Sequence, residues 1–151
     1  MALWRLYYHF VWATKEREPL ISAEWEHTLF NYIIGKADAL KCITHVINGT
    51  ADHIHLIASI PPTLAIAEFV KNIKGSSAHY VNHTLSPISR NFGWQAGYGV
   101  FSLGRKQLEQ AVAYVDNQKS HHAQGTLIST LEETTNNDDA PERWNSHPPG
   151  N

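Results

Sequence analysis

The chain has 151 residues, a formal net charge of −2 at pH 7, ten histidines and a single cysteine. That length fits one domain with a substantial core, and the lone Cys42 excludes an intrachain disulfide and any multi-cysteine zinc site. No run approaches the ~20 apolar residues of a membrane span, and the start, Met1-Ala2-Leu3-Trp4-Arg5, is unlike a signal peptide, so a cytoplasmic protein with no membrane partner is expected.

Leu6 to Thr14 is aromatic and β-branched and predicts a first strand. Lys15-Glu16-Arg17-Glu18-Pro19 is a charged connector. Ser22 reads as the N-cap of a helix with Glu24 and Glu26 in its first turn, continuing through Leu29, Tyr32, Ile33 and Lys36. Lys41 to Asn48 predicts a second strand and Asp52 to Ser59 a third, joined as a hairpin at Gly49-Thr50. After Pro61-Pro62, Thr63 reads as the cap of a helix from Leu64 to about Val81, with Ile66, Phe69, Val70 and Ile73 on its buried side. Leu85 to Gly93 is loop-like, Gly97 to Leu103 predicts a fourth strand, and a last helix follows from about Gln107 to His122. The order β-α-β-β-α-β-α implies an α+β chain with a ferredoxin-like (RRM-like) antiparallel sheet and helices packed on it.

Residues 1–124 are expected to form the domain, and residues 125–151 a polar, acidic tail too poor in apolar residues to order by itself. After Leu131 there are five acidic residues and one basic residue, which leaves 9 acidic and 11 basic before it, a body of about +2. Such a charge permits a nucleic-acid partner without announcing one.

Within the third strand, His53-Ile54-His55 carries the chemistry. Side chains alternate on a strand, so His53 and His55 share one face, roughly 7 Å apart along the chain, while Ile54 points into the core. Two imidazoles converging from one strand are the beginning of a divalent metal site, although a single strand histidine is more often a hydrogen-bonded core residue. In the last helix Tyr114 and Gln118 are four apart and lie on one face. A tyrosine can act as a covalent nucleophile, and a glutamine carbonyl can ligate a hard cation. Packing for Tyr114 and solvation for Gln118 are the plainer uses of both.

These residues resemble the single-tyrosine HUH transposases of small insertion sequences that move as single-stranded DNA. The resemblance rests on Tyr8-His9-Phe10-Val11-Trp12-Ala13-Thr14-Lys15 with Arg17, on Asp52-His53-Ile54-His55-Leu56 before Pro61-Pro62, and on the Phe69 to Lys74 stretch. It continues through Trp94, Gly97-Tyr98-Gly99, Phe101-Ser102, and Tyr114, Asn117-Gln118 and His121-His122. It implies the HUH endonuclease fold, a Mg²⁺ or Mn²⁺ ion held by His53, His55 and Gln118, and attack by Tyr114 on a DNA phosphate to give a 5′-phosphotyrosine. It also implies hairpin-bearing single-stranded DNA as partner, and a homodimer with composite active sites in which the tyrosine helix, hinged near Gly104, completes the partner's site. Chromosomal REP-associated tyrosine endonucleases share this chemistry, and a ferredoxin-like nucleic-acid-binding module without catalysis would share the fold.

Lys71 and Lys74, three apart on one helix, and Arg90 and Arg105 are candidate phosphate contacts. Trp4, Tyr7, Tyr8, Trp12, Trp94 and Tyr98 are candidate stacking platforms for unpaired bases, most of them expected in the core.

Overall fold

The computed structural model describes residues 2–120; the expected acidic tail and His121-His122 lie outside them. Four strands, β1 (Tyr7–Ala13), β2 (Ile43–Gly49), β3 (His53–Ser59) and β4 (Gly99–Leu103), form one antiparallel sheet in the order β2-β3-β1-β4. Helices α1 (Glu26–Ala39), α2 (Ile66–Tyr80) and α3 (Arg105–Asp116) complete the expected β-α-β-β-α-β-α order. A π-helical turn, Val81–Leu85, extends α2.

The two central strands sort their side chains by parity. Phe10, Trp12, Ile54, Leu56 and Ala58 point to the face covered by α1 and α2, where they join Leu29, Ile33, Phe69 and Ile73 in the main core. Each of these residues is fully buried, and truncating one of the larger ones to alanine removes on the order of 2–5 kcal/mol. On the opposite face α3 is the one helix among the described residues, its Ala111, Tyr114 and Val115 packing on Ile57. This second face also carries His9, His53 and His55.

Two expected caps move. Ser22 Oγ accepts the Glu24 amide at 3.2 Å, closing a short turn, and α1 begins only at Glu26. Thr63 caps nothing: Ala65 precedes the first residue of α2. The β2–β3 hairpin forms as expected, with Thr50 N–H donating to His53 O at 3.0 Å. Glycine is required at position 49, because a Cβ there would collide with the His53 carbonyl oxygen. Gly104 has φ −77° and serves as the N-cap of α3, with Gln107 Oε1 accepting its amide at 2.6 Å. Cys42 is buried, as expected, and burial pushes its thiol up to about 11.

Candidate active site

β3 begins with His53, opposite Ala13, and places His55 opposite Val11. Both imidazoles are buried, with ring centroids 5.1 Å apart. The Nδ1 of His53 meets the Asp52 carboxylate at 2.7 Å and the Thr50 hydroxyl at 2.9 Å. The Nδ1 of His55 meets Nε2 of the fully buried His9 at 2.8 Å. With a proton on each Nδ1, donated to Asp52 and to His9, the coordinating lone pair of both histidines lies on Nε2. Metal-ligating histidines are commonly prepared in this way, a second residue fixing tautomer and ring orientation.

Burial works against the Asp52 carboxylate, but hydrogen bonds from His53 and Thr50 and the charges of His53 and Arg17 outweigh it, so its pKa lies below the ordinary value. Asp52 therefore remains an anion behind His53 across the neutral range. Arg17, 54% exposed, stands 4.0 Å from the same carboxylate.

α3 brings Tyr114 to this face, and Gln118 follows two residues past the end of the helix. The ring of Tyr114 stands 6.3 Å from that of His55 at 78°, and Gln118, one turn further along, is fully buried. The helix is fastened at its far end: Asn48 Nδ2 donates to Asp116 O at 3.0 Å, and Lys119 Nζ reaches Asn48 Oδ1 and Gly49 O at 3.0 Å and Glu26 Oε1 at 2.7 Å. One chain thus sets Tyr114 beside His55 and buries Gln118 in the same stretch of chain, between Asp116 and Lys119, which both contact the β2–β3 hairpin. Among the described residues no three His, Cys, Asp or Glu side chains are placed to share a metal ion. An amide oxygen such as that of Gln118 is a donor type that suits Mg²⁺ or Mn²⁺.

The basic candidates do not gather here. Lys71 and Arg90 are exposed, on α2 and on the loop after it, in the layer across the sheet from the histidines. Arg90 donates to Pro87 O at 2.9 Å. Lys74 is half-buried: its Nζ donates to Gln95 O at 2.8 Å and to Gly97 O at 2.7 Å, and lies over the rings of Trp12 and Tyr98. Gln95 in turn accepts the Ala13 amide through its side chain and donates its own amide to Ala13 O at 2.8 Å. Lys74 therefore braces the end of β1 beside His53. Arg105 is exposed at the first turn of α3.

Sequence reading passed over His9 and Asp52. Asp52 could have been flagged as a carboxylate adjoining a candidate ligand. His9 carries no local signal, because only the β1–β3 register sets it against His55.

A family profile described as "Transposase IS200 like" matches residues 2–118. The ISDra2 transposase TnpA of Deinococcus radiodurans is 26% identical over 122 residues, covering 77% of this chain and 86% of that protein. The transposase for insertion sequence element IS200 of Salmonella typhimurium is 24% identical over 131 residues, covering 83% and 85%. Among solved structures, a transposase from Deinococcus radiodurans superposes with a TM-score of 0.61 at 26% identity, over 78% of this chain and 93% of that one. A REP-associated tyrosine transposase bound to a REP hairpin shares the fold, with a TM-score of 0.60 at 16% identity, over 84% and 76%. The fold is that of the HUH transposases, as expected from the sequence, and with the profile spanning most of its length the chain belongs to the IS200-like transposase family.

Proposed function

We propose that this transposase is a metal-dependent endonuclease and strand transferase for single-stranded DNA, acting through a 5′-phosphotyrosine. The observation that carries this reading is the approach of Tyr114 to His55 on the face where both strand histidines have Nδ1 engaged by the protein. His53, His55 and Gln118 would hold one Mg²⁺ or Mn²⁺. When bound, that ion supplies Lewis-acid stabilisation of the negative charge that develops on the phosphate oxygens.

The chain's own residues do the rest. The Tyr114 phenolic oxygen attacks phosphorus in line with the 3′-oxygen. The Tyr O–P bond forms, the P–O3′ bond breaks, the phenol gives up its proton, and the departing oxygen takes up one to leave a free 3′-OH. An ordinary phenol titrates near ~10, so proton loss must accompany bond formation at neutral pH. The ester bond to tyrosine preserves the energy of the phosphodiester. A second 3′-OH can therefore reverse the step and join strands without a nucleotide cofactor. Hairpin-bearing single-stranded DNA is the partner best suited to this role, supported by the REP hairpin bound to the structural relative.

A homodimer that exchanges α3 would build the same site from two chains. Within one chain, Asn48 and Lys119 tie the end of α3 to the β2–β3 hairpin and to Glu26, ties that an exchanged helix would have to remake on its partner. Incubating the protein with hairpin-bearing single-stranded DNA and Mn²⁺ should yield a covalent protein–DNA adduct, resistant to denaturant and absent in Tyr114→Phe. Retention of the DNA with no adduct under either metal would make the chain a binding module instead.

A further inference from the structure

At the far end of the catalytic face lies a cavity of about 280 Å³, lined by Trp4, Arg5, Tyr7, Ile43, His45 and Ser59 among others. We propose that this cavity binds one unpaired nucleobase of the DNA substrate and so sets where the strand is held relative to Tyr114; it rests on the reading of the chain as a single-stranded DNA transposase.

The first argument is placement. Ser59, Tyr7 and Ile43 are cross-strand neighbours on the same face as His53 and His55. Ser59 is four residues beyond His55 on β3, roughly 13 Å. α3 spans the same interval. It opens at Arg105, two residues after Leu103, whose strand partner is Tyr7, and reaches Tyr114 nine residues later, roughly 13 Å along the helix. A strand lodged in the cavity can thus run past the exposed Arg105 to the tyrosine.

The second argument is a break in the sheet. β2 carries a bulge between Thr44 and Val46, and the extra residue is His45. Ile43 pairs with Ser59 and Thr44 with Ala58, so alternation places His45 on the catalytic face, and the bulge lets the next residue, Val46, pair with Ile57 on that face as well. Left without a cross-strand partner, His45 turns to the cavity: its Nε2 meets Ser59 Oγ at 2.6 Å, and its ring stands edge-on to Tyr7 with centroids 5.6 Å apart. β2 is an edge strand, and bulges concentrate at sheet edges and beside functional sites.

The third argument is chemistry. Trp4 and Tyr7 are half-buried aromatic residues on the wall, and any base can stack on such a surface. Burial lowers the pKa of His45. A neutral imidazole has one donor and one acceptor and a hydroxyl can do both; the bond between His45 and Ser59 uses one of each, which leaves one donor and one acceptor between them to meet a base edge. Arg5 supplies a cation for the adjoining phosphate. Of the four large hydrophobic residues most exposed among the described residues, Leu3 (85%) and Ile43 (57%) both flank this cavity. Apolar surface left exposed beside a polar cleft marks a place where something docks.

The test uses the full chain in a Tyr114→Phe background, with a hairpin-bearing single-stranded oligonucleotide and a series carrying one abasic site at each unpaired position. Trp4→Ala should weaken binding about 5- to 100-fold, as loss of one stacked base does. Trp4→Phe, which keeps an aromatic face, should retain most of the affinity, and His45→Ala should weaken it. One abasic position should reproduce the Trp4→Ala loss and add nothing to it in that variant. Unchanged affinity in Trp4→Ala and His45→Ala, or losses that add at every position, would overturn the proposal. So would a change in oligomeric state on Trp4→Ala without a change in affinity, which would assign the patch to a second copy of the chain. If the parent protein still forms its Tyr114 adduct in those cases, only the pocket falls. Base-dependent binding through Trp4 without any adduct would keep the pocket and remove the catalytic reading.

Discussion

Asp52 decides how His53 can meet a ligand. Its carboxylate, kept anionic by its partners, favours the proton of His53 on Nδ1 and so leaves the lone pair on the buried Nε2. His9 can do the same for His55 without a charge: its Nε2 lies 2.8 Å from His55 Nδ1 across two strands and accepts when His55 carries its proton there. If these residues prepare a metal site, Asp52→Asn should leave the fold intact and weaken Mn²⁺ binding about 10- to 100-fold, the usual effect of removing such a partner. Titration of Mn²⁺ followed by electron paramagnetic resonance checks this apart from DNA cleavage. Wild-type affinity in the variant would reduce Asp52 to a hairpin-turn residue. His9→Leu should be costlier to the fold, because it strands a buried imidazole N–H, a penalty of about 1–3 kcal/mol.

At the scale of elements, Lys71 and Lys74 show where spacing stops informing. Both sit on α2 three residues apart, yet one is exposed and the other is bound to Gln95 O and Gly97 O. Periodicity locates a face; it does not reveal that a distant loop will fold back over part of it. Burial lowers the pKa of Lys74 to about 8 from 10.5. The unfolded chain then keeps this proton up to pH 10.5 while the folded chain releases it near 8. Over that window the unfolded state binds more protons, so Lys74 makes stability rise with pH. Denaturant unfolding between pH 8 and 10 should show this rise in the wild type and not in Lys74→Met; parallel curves for the two proteins would place the lysine in ordinary solvent. The elements were otherwise legible, because the strands and helices repeat with the right periods and the His53, His55, Tyr114 and Gln118 set has a recognisable order. Ser22 and Thr63 misled because a hydroxyl ahead of an apolar run caps a helix only if the backbone turns there. At Ser22 it made a separate turn first. His9 and the His45 bulge were illegible because both depend on strand register, a property of two segments at once.

Across the whole molecule the question is which chain's tyrosine serves which histidines. Lys119 is 56% exposed, so its ion pair with Glu26 is worth only about 0–1 kcal/mol. The seam of Ile57, Ala111, Tyr114 and Val115 must contribute more to docking α3, since each is buried nearly completely. Tyr114 belongs to that seam, so withdrawing the helix to serve a partner would expose the same apolar surface that closure covers. An exchanged arrangement gains only if the partner's sheet offers an equivalent seam. Mixing two inactive variants separates the alternatives. A Tyr114→Phe chain keeps its histidines, and a His53→Ala chain keeps its tyrosine. If sites close within one chain, no pairing of the two holds a complete set, and the mixture should form no DNA adduct above either variant alone. If α3 is exchanged, a mixed dimer holds one complete site, and the adduct should return at up to about half the wild-type yield per dimer. We expect no restoration with Lys119 intact, because each helix is tied to its own Asn48, Gly49 and Glu26. Restoration in the unmodified mixture would show that these ties do not hold α3 at home and would make the composite dimer the working form.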